Sequence, residues 1–178
     1  MNLIPAGTRT LPAGTWAVDK VHSHVGFAID YMAGTFVGSF AEVDATLSDG
    51  VLKGAVNIGD VLVPDAHLEA HLQAADFFDA ERHPDLTFEA NSISLRLDQV
   101  AIDGDITIKG HREAVAVTGR FTEPFLDSFG ETRLGLELIA TIDRTKFGVS
   151  WNNPLPNGKP ALSHEVTILA HMQFLRQT

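Results

Sequence analysis

The sequence predicts an all-β protein, an antiparallel barrel of about eight strands with one short helical segment, about residues 65–80, that caps one end. Three observations predict this fold. Apolar residues alternate with smaller or polar ones along most of the chain, as they do in strands with one buried face. Turn residues separate these runs, and only one segment changes to helical spacing. About eight antiparallel strands close naturally into a barrel, which removes free sheet edges.

The strand runs are each defined by apolar residues at every second position. The residues that share one face within each run are Val25, Phe27, Ile29 and Tyr31; Leu52, Val56, Ile58 and Leu62; Val100, Ile102, Ile106 and Ile108; Val115, Val117 and Phe121; Leu134, Leu136, Leu138 and Ile142; and Val166, Ile168, Met172 and Phe174. Hairpin turns are predicted at Ala33-Gly34, Ser48-Asp49-Gly50, Lys109-Gly110-His111 and Ser128-Phe129-Gly130.

The helical segment has Leu68 and Leu72 four residues apart, which places both side chains on one face. Asp65 is suited to cap its N-terminus, and Pro84 marks its end. We expect residues 1–12 to form an extended N-terminal arm and residues 13–178 to form a single domain, since no linker or repeat divides them.

Composition excludes several classes of protein. Of the 178 residues, 44% are hydrophobic, which excludes a disordered chain, and there is no cysteine for a disulfide or thiolate site. The net charge of −10 disfavours binding to nucleic acid. No run is apolar enough for stable membrane insertion, and the N-terminus lacks the pattern of a signal peptide. We therefore expect a cytoplasmic location.

The segment HLEAHLQAADFFDAERHPDLTF, residues 67–88, contains the strongest candidates for polar chemistry. His67 and His71 lie on one helical face, as two zinc ligands would. Glu69, however, points about 200° away from His67, which excludes the arrangement of a zinc protease helix. A metal-dependent enzyme that uses His67, His71 and a third histidine is an alternative. The simpler interpretation is that both histidines border the apolar stripe.

The aromatic residues suggest a different kind of site. Eleven are Phe, against one Tyr and two Trp. Side chains of this kind either fill a small barrel completely, which would suit an interaction module, or line an apolar cavity for a lipid-like ligand. Both interpretations are open on composition alone.

Five blocks of the chain, in order, resemble the YceI family of polyisoprenoid-binding proteins, which have a lipocalin-like barrel. The blocks are GTWAVDKVHSHVGFAIDYMAGTFVGSF, HLQAADFFDAERHPDLTF, GDITIKGHREAVAV, RTKFGVSW and SHEVTI. The resemblance covers about residues 15–175. It implies that an isoprenoid chain or related amphiphile binds inside the barrel, that His71, Leu72, Asp76, Phe77 and Phe78 form a helical cap, and that Phe27, Phe36 and Phe88 face the cavity.

The chain departs from the family pattern after His71-Leu72, where Gln73 and Ala74 replace a frequent Arg-Ser. This departure makes a neutral head group, such as that of a quinone, at least as plausible as a phosphate. The resemblance also implies a possible homodimer. Many members are periplasmic, but we do not expect that location here, because the N-terminus lacks the pattern of a signal peptide.

These considerations predict non-enzymatic binding, storage or transport of a long apolar amphiphile, such as a polyisoprenoid, an isoprenoid quinone or a similar lipid. We expect no catalytic residue, no metal ligand and no cofactor apart from that ligand. The predicted ligand-binding residues are Phe27, Ile29, Phe36, Phe40, Val56, Ile58, His71, Leu72, Asp76, Phe77, Phe78, Phe88, Ile106, Phe147 and Trp151.

Overall fold

The structure is a computed structural model that describes residues 7–178. Within this range the chain forms eleven strand segments, one α-helix and three short 3-10 turns at Lys20–His22, Ile58–Asp60 and Arg144–Phe147. The strands and the helix are β1 (Thr15–Val18), β2 (His24–Tyr31), β3 (Gly34–Phe40), β4 (Asp44–Ser48), β5 (Val51–Asn57), β6 (Val61–Leu62), α1 (Ala66–Gln73), β7 (Asp85–Arg96), β8 (Gln99–Ile108), β9 (His111–Leu126), β10 (Thr132–Asp143) and β11 (Leu162–Arg176).

The strands form a closed antiparallel barrel. Its ring runs β1-β4-β5-β7-β8-β9-β10-β11, and β11 closes the ring by pairing with β1, where Arg176 lies opposite Trp16. The segments β2, β3 and β6 continue the same sheet from β11, which pairs with β2 along its first ten residues. Thus β1 with β2, β3 with β4, and β5 with β6 are three interrupted strands. The barrel therefore has eight strands and one α-helix, as predicted.

Two of the interruptions are polar caps within a strand. Asp19 follows β1 and accepts hydrogen bonds from the backbone N–H groups of Val21 and His22, which turns the chain into the first 3-10 turn. Asn57 ends β5 in the same way by accepting from the backbone N–H of Gly59 at 2.7 Å. Short polar side chains compete with the sheet for backbone donors, so each interrupted strand bends instead of running straight.

The two ends of the barrel differ in packing. The end that carries the β4–β5, β7–β8 and β9–β10 turns is filled, and we call it the packed end. Its large apolar side chains are fully excluded from solvent, and they are Trp16, Leu47, Leu95, Leu134, Leu136 and Phe174. The opposite end carries α1 and the connection from β10 to β11, and we call it the cavity end. There, inward-facing residues such as Val25, Val166 and Ile168 are only partly buried.

The helix is shorter than predicted. Asp65 caps it as expected, because its carboxylate accepts a hydrogen bond from the backbone N–H of Leu68 at 3.0 Å. The helix ends at Ala74, whose backbone is extended, and the carbonyl of Ala74 then accepts from the N–H groups of Phe77 and Asp79. Helical spacing alone does not distinguish a helix from the consecutive turns that follow it here. We call residues 65–85 the cap segment.

Residues 1–6 of the predicted N-terminal arm lie outside the described residues. The remainder of the arm runs along the packed end, where Arg9 pairs with Leu95 at the end of β7. Leu11 is buried against the core. This segment therefore covers the barrel at the end opposite the cap segment.

Across residues 7–178, none of the helices combines the length and the apolar character needed to cross a bilayer.

Candidate ligand-binding cavity

The cavity end encloses a space of about 320 Å³ between the barrel wall, the cap segment and the connection from β10 to β11. The wall contributes apolar residues from β2, β3, β7, β8, β10 and β11, and α1 contributes Leu68, His71 and Leu72. A second space of about 100 Å³ lies deeper in the barrel. Val25, Leu86 and Ile168 line both spaces, so the two spaces adjoin, with the smaller one nearer the packed end.

The structure brings ten of the fifteen predicted ligand-binding residues to the larger space. They are Phe27, Ile29, Phe36, Phe40, His71, Leu72, Phe77, Phe78, Phe147 and Trp151. Three more, Val56, Phe88 and Ile106, line the deeper space. Ile58 is buried but lines neither space, and Asp76 lies outside the lining with its side chain 69% exposed. Whether these residues contact a ligand stays a prediction.

An aromatic cluster borders the cavity where the cap segment meets the connection from β10 to β11. The ring of His71 lies edge-on to Phe77 and to Trp151, with centroids 4.7 and 4.9 Å apart, and Phe77 and Trp151 are 5.4 Å apart. The His71 side chain is 34% exposed and its Nε2 lies 3.9 Å from the Asp76 carboxylate. Such edge-to-face contacts hold aromatic rings in place. His71 therefore stands at the boundary between the apolar cavity and the solvent.

Lys109 fastens the cap segment to the barrel. It lies in the β8–β9 turn, and its Nζ donates to the carbonyl oxygens of Ala75 at 2.7 Å and of Gly148 at 3.2 Å. The first carbonyl belongs to the cap segment and the second to the connection after β10. The ammonium group thus joins the two irregular segments that cover the cavity.

Among the described residues, Arg144 is the one buried cation in the cavity lining. It is 4% exposed, and its guanidinium donates to the carbonyl oxygens of Val149, Trp151, Leu162 and Ser163 at 2.7 to 3.3 Å. Burial lowers the pKa of Arg144 from its ordinary value, and neighbouring Asp143 opposes this effect. Its hydrogen bonds hold the connection between β10 and β11 in shape, since backbone carbonyls without partners are costly when buried.

Sequence reasoning missed Arg144 and several wall residues. Val166 and Ile168 line the larger space, and the alternation of apolar residues in β11 already predicted that both face inward. That alternation was sufficient to include them among the ligand-binding residues. The signal for Arg144 was its place at the start of the block RTKFGVSW, but that resemblance does not indicate burial, and a single arginine after a strand is ordinary on the surface. Its burial follows from the fold of the connection it supports.

The two alternative interpretations receive no geometric support. Within residues 7–178, no group of three or more His, Asp or Glu side chains is arranged to hold a metal ion, and His67 is exposed. A completely filled barrel is not observed either, since the interior is packed at one end and contains a cavity at the other.

Comparisons with known proteins agree with this architecture. The model of the YceI-like domain matches residues 16–174. A UPF0312 protein of Pseudomonas aeruginosa is 26% identical over 175 residues, which cover 93% of this chain and 88% of the relative. A UPF0312 protein of Staphylococcus epidermidis is 28% identical over 168 residues, which cover 88% of this chain and 94% of the relative.

Two solved structures share the fold. BcnA of Burkholderia cenocepacia superposes with a TM-score of 0.76 at 21% identity, over 88% of this chain and 98% of BcnA. A polyisoprenoid binding domain from Saccharophagus degradans, implicated in plant cell wall breakdown, gives a TM-score of 0.69 at 10% identity, over 91% of this chain and 98% of that domain. The family match spans nearly the whole barrel, including α1 and both spaces of the interior, and this chain therefore belongs to the YceI-like domain family.

Proposed function

We propose that the protein binds, stores or carries a long apolar amphiphile, such as a polyisoprenoid or an isoprenoid quinone, and catalyses no reaction on it. One observation carries the proposal, which is the apolar character of the cavity lining. Its side chains are aliphatic or aromatic apart from Tyr31, His71 and Arg144. A volume of about 320 Å³ is within the range of small-molecule sites.

The driving force for binding would be the removal of apolar surface from water. Burial contributes roughly 25 cal/mol for each Å², and part of this is offset by the loss of ligand freedom. The cavity wall is already formed by regular strands, so little ordering of the protein opposes binding. The polyisoprenoid binding domain of S. degradans, which shares the fold, supports an isoprenoid as the class of ligand.

The lining also supports binding without catalysis. Acyl or phosphoryl transfer needs a nucleophile and a base that contact the substrate. The lining of the larger space contains no Ser, Thr, Lys, Asp or Glu among the residues that the structure describes. Arg144, which is permanently charged, also lines this space, but it donates to four backbone carbonyls and is held by them.

A cavity-filling variant tests the proposal directly. Val166 lines the larger space, whereas Val37 is 64% exposed on the outside of the barrel. We expect Val166→Phe to fold, since the added ring enters existing space, and to lose binding. Val37→Phe is the matched control, because it adds the same ring to the outer surface and leaves the cavity unchanged.

The measurements are native mass spectrometry of the purified protein after organic extraction, and thermal unfolding with an added isoprenoid quinone. At a ligand concentration one hundred times Kd, the melting temperature should rise by about 5 to 10 °C in the wild type and in Val37→Phe. It should not rise in Val166→Phe. The proposal fails if no lipid is extracted and no isoprenoid changes the melting temperature of the wild type.

A further inference from the structure

We infer that the cavity encloses only about three isoprene units and that its mouth selects an uncharged head group over a phosphate. This inference rests on the proposed function and defines the ligand more narrowly. It follows from the capacity of the interior, from the packed end below it, and from the charges of the cap segment.

The capacity follows from the two volumes. A cavity of roughly 150 Å³ accommodates benzene, which corresponds to about 25 Å³ for each carbon atom. On this scale the space of about 320 Å³ holds ~13 carbons, and the deeper space of about 100 Å³ holds ~4 more. Together they accommodate about three five-carbon units.

The packed end prevents a longer chain from passing through the barrel. Below the deeper space lie Trp16, Leu47 and Phe174, which are fully excluded from solvent. Protein interiors packed at this density do not open without loss of contacts. Any additional isoprene units would therefore stay outside the mouth, where they gain nothing from burial in the cavity.

Two cations near the cavity, Arg144 and Lys109, already donate hydrogen bonds to backbone carbonyls. The guanidinium of Arg144 donates to four carbonyl oxygens, and the ammonium group of Lys109 donates to two. Both groups keep their charge, but the guanidinium has only one of its five N–H groups left and the ammonium only one of three. A phosphate drawn into the apolar interior would therefore lose its hydration and gain few hydrogen bonds in return. Burial of an unpaired charge of this kind is strongly unfavourable.

The mouth itself is acidic. The cap segment, residues 65–85, contains six carboxylates and one arginine, Arg82. Asp76 lies at the mouth, since its carboxylate is 3.9 Å from Nε2 of His71, whose ring borders the cavity. A phosphate held at the mouth would be repelled by this charge. A hydroxyl or carbonyl group would meet no such repulsion, and the half-exposed imidazole of His71 is placed to exchange a hydrogen bond with it.

The test compares isoprenoid alcohols of increasing length with one phosphate. Geraniol, farnesol, geranylgeraniol and solanesol, which contain two, three, four and nine isoprene units, are added from ethanol to the protein in aqueous buffer. Farnesyl phosphate is the charged counterpart of farnesol. Binding to the full chain is followed by the fluorescence of Trp151, which lines the cavity, while the other tryptophan, Trp16, is buried at the packed end.

We expect Kd to fall at least about tenfold from geraniol to farnesol, because a further isoprene unit enters the cavity. From geranylgeraniol to solanesol Kd should change by less than about threefold, because the added units stay outside. Farnesyl phosphate should bind at least about tenfold more weakly than farnesol. An affinity that continues to rise up to solanesol, or equal binding of alcohol and phosphate, overturns the inference and leaves the proposed function intact. If none of the alcohols binds, the proposed function itself fails.

A charge variant distinguishes electrostatic repulsion of the phosphate from its steric exclusion at the mouth. Asp76→Asn should strengthen the binding of farnesyl phosphate at least about threefold more than it changes the binding of farnesol. Asp98→Asn removes a carboxylate that is 55% exposed in the turn between β7 and β8, at the opposite end of the barrel, and should change neither value. Equal effects of the two variants on farnesyl phosphate would overturn the role assigned to the acidic mouth.

Discussion

Replacement of Arg133 by methionine is expected to lower the free energy of unfolding by about 3 to 5 kcal/mol at neutral pH. The Arg133 side chain is only 13% exposed. Its guanidinium donates to Asp19 at 2.7 Å, to Gln173 at 2.8 Å and to Asp127 at 3.1 and 3.2 Å. It thereby joins the bend after β1, the β9–β10 turn and the end of β11.

The magnitude follows from the burial of the two carboxylates. Asp19 and Asp127 are 12% and 10% exposed in their ion pairs with Arg133. Methionine preserves much of the aliphatic volume of arginine but supplies no donor. Asp19 would keep His22 and two backbone N–H donors, and Asp127 two backbone N–H donors, but both largely buried carboxylates would lose the arginine. The loss of one partner from such a pair is much more destabilising than the pair is stabilising.

The effect should depend on pH in a defined direction. Burial acts to raise the pKa of Asp19, but hydrogen bonds from Arg133 and His22 outweigh it and hold the pKa at about 2, against 3.8 for a free carboxyl group. Asp19 therefore contributes stability that is complete well above its free pKa and is lost as the pH falls through about 2. Allowing for solvent screening, this contribution is about 1 to 2 kcal/mol. The difference between wild type and Arg133→Met should shrink as the pH is lowered from about 7 to about 3.

The assay is urea unfolding followed by near-ultraviolet circular dichroism at both pH values. Arg120→Met is the matched control, since Arg120 and its partner Asp98 are 73% and 55% exposed. An exposed pair of this kind contributes about 0 to 1 kcal/mol. The reasoning is refuted if Arg133→Met loses no more stability than Arg120→Met, or if its deficit is the same at both pH values.

Four further substitutions probe other parts of the molecule. Gly119→Ala would bring a Cβ into overlap with the backbone oxygen of Glu137, and should cost about 3 kcal/mol or more in urea unfolding. Gly54→Ala, where no atom would lie closer than 3.7 Å, should cost less than about 1 kcal/mol. Arg144→Lys should lower the free energy of unfolding by about 2 kcal/mol or more, measured by thermal unfolding, because one ammonium group cannot donate to all four carbonyls. Unchanged stability would contradict the role of Arg144 in holding the connection between β10 and β11. Lys109→Met should speed amide hydrogen exchange in the cap segment and leave exchange in the barrel strands unchanged. If the cap segment of the variant exchanges as slowly as that of the wild type, Lys109 does not hold it to the barrel.

The sequence was sufficient to predict which residues face inward, but it did not predict their depth in the barrel. Alternation in β8 placed Ile102 and Ile106 on the same face, and both are indeed buried. Of the two, only Ile106 lines the deeper space. The level of a residue along the barrel axis depends on the stagger between neighbouring strands. This stagger is set by pairing between segments that are distant in the sequence. The alternation of residues within one strand contains no information about it.

Local capping signals were similarly informative only over short distances. Asp65 was predicted to cap the helix and does so. The end of the helix was placed too late, because residues 74–80 continue the apolar spacing in consecutive turns. The role of Arg144 depends on four carbonyls that follow it by five to nineteen positions. No pattern within the sequence connects those positions before the chain folds.

The division between a packed end and a cavity end has a consequence for how such a barrel can evolve. At the packed end, nearly every change in side-chain volume disturbs an interior without spare space. At the cavity end, a substitution from valine to a larger side chain enters space that is already present. Tolerance to substitution is therefore concentrated at the cavity end, where side chains determine the shape of the cavity. Descendants of one ancestral barrel could exchange one apolar cargo for another by single substitutions, while the half of the molecule that maintains the fold remains unchanged.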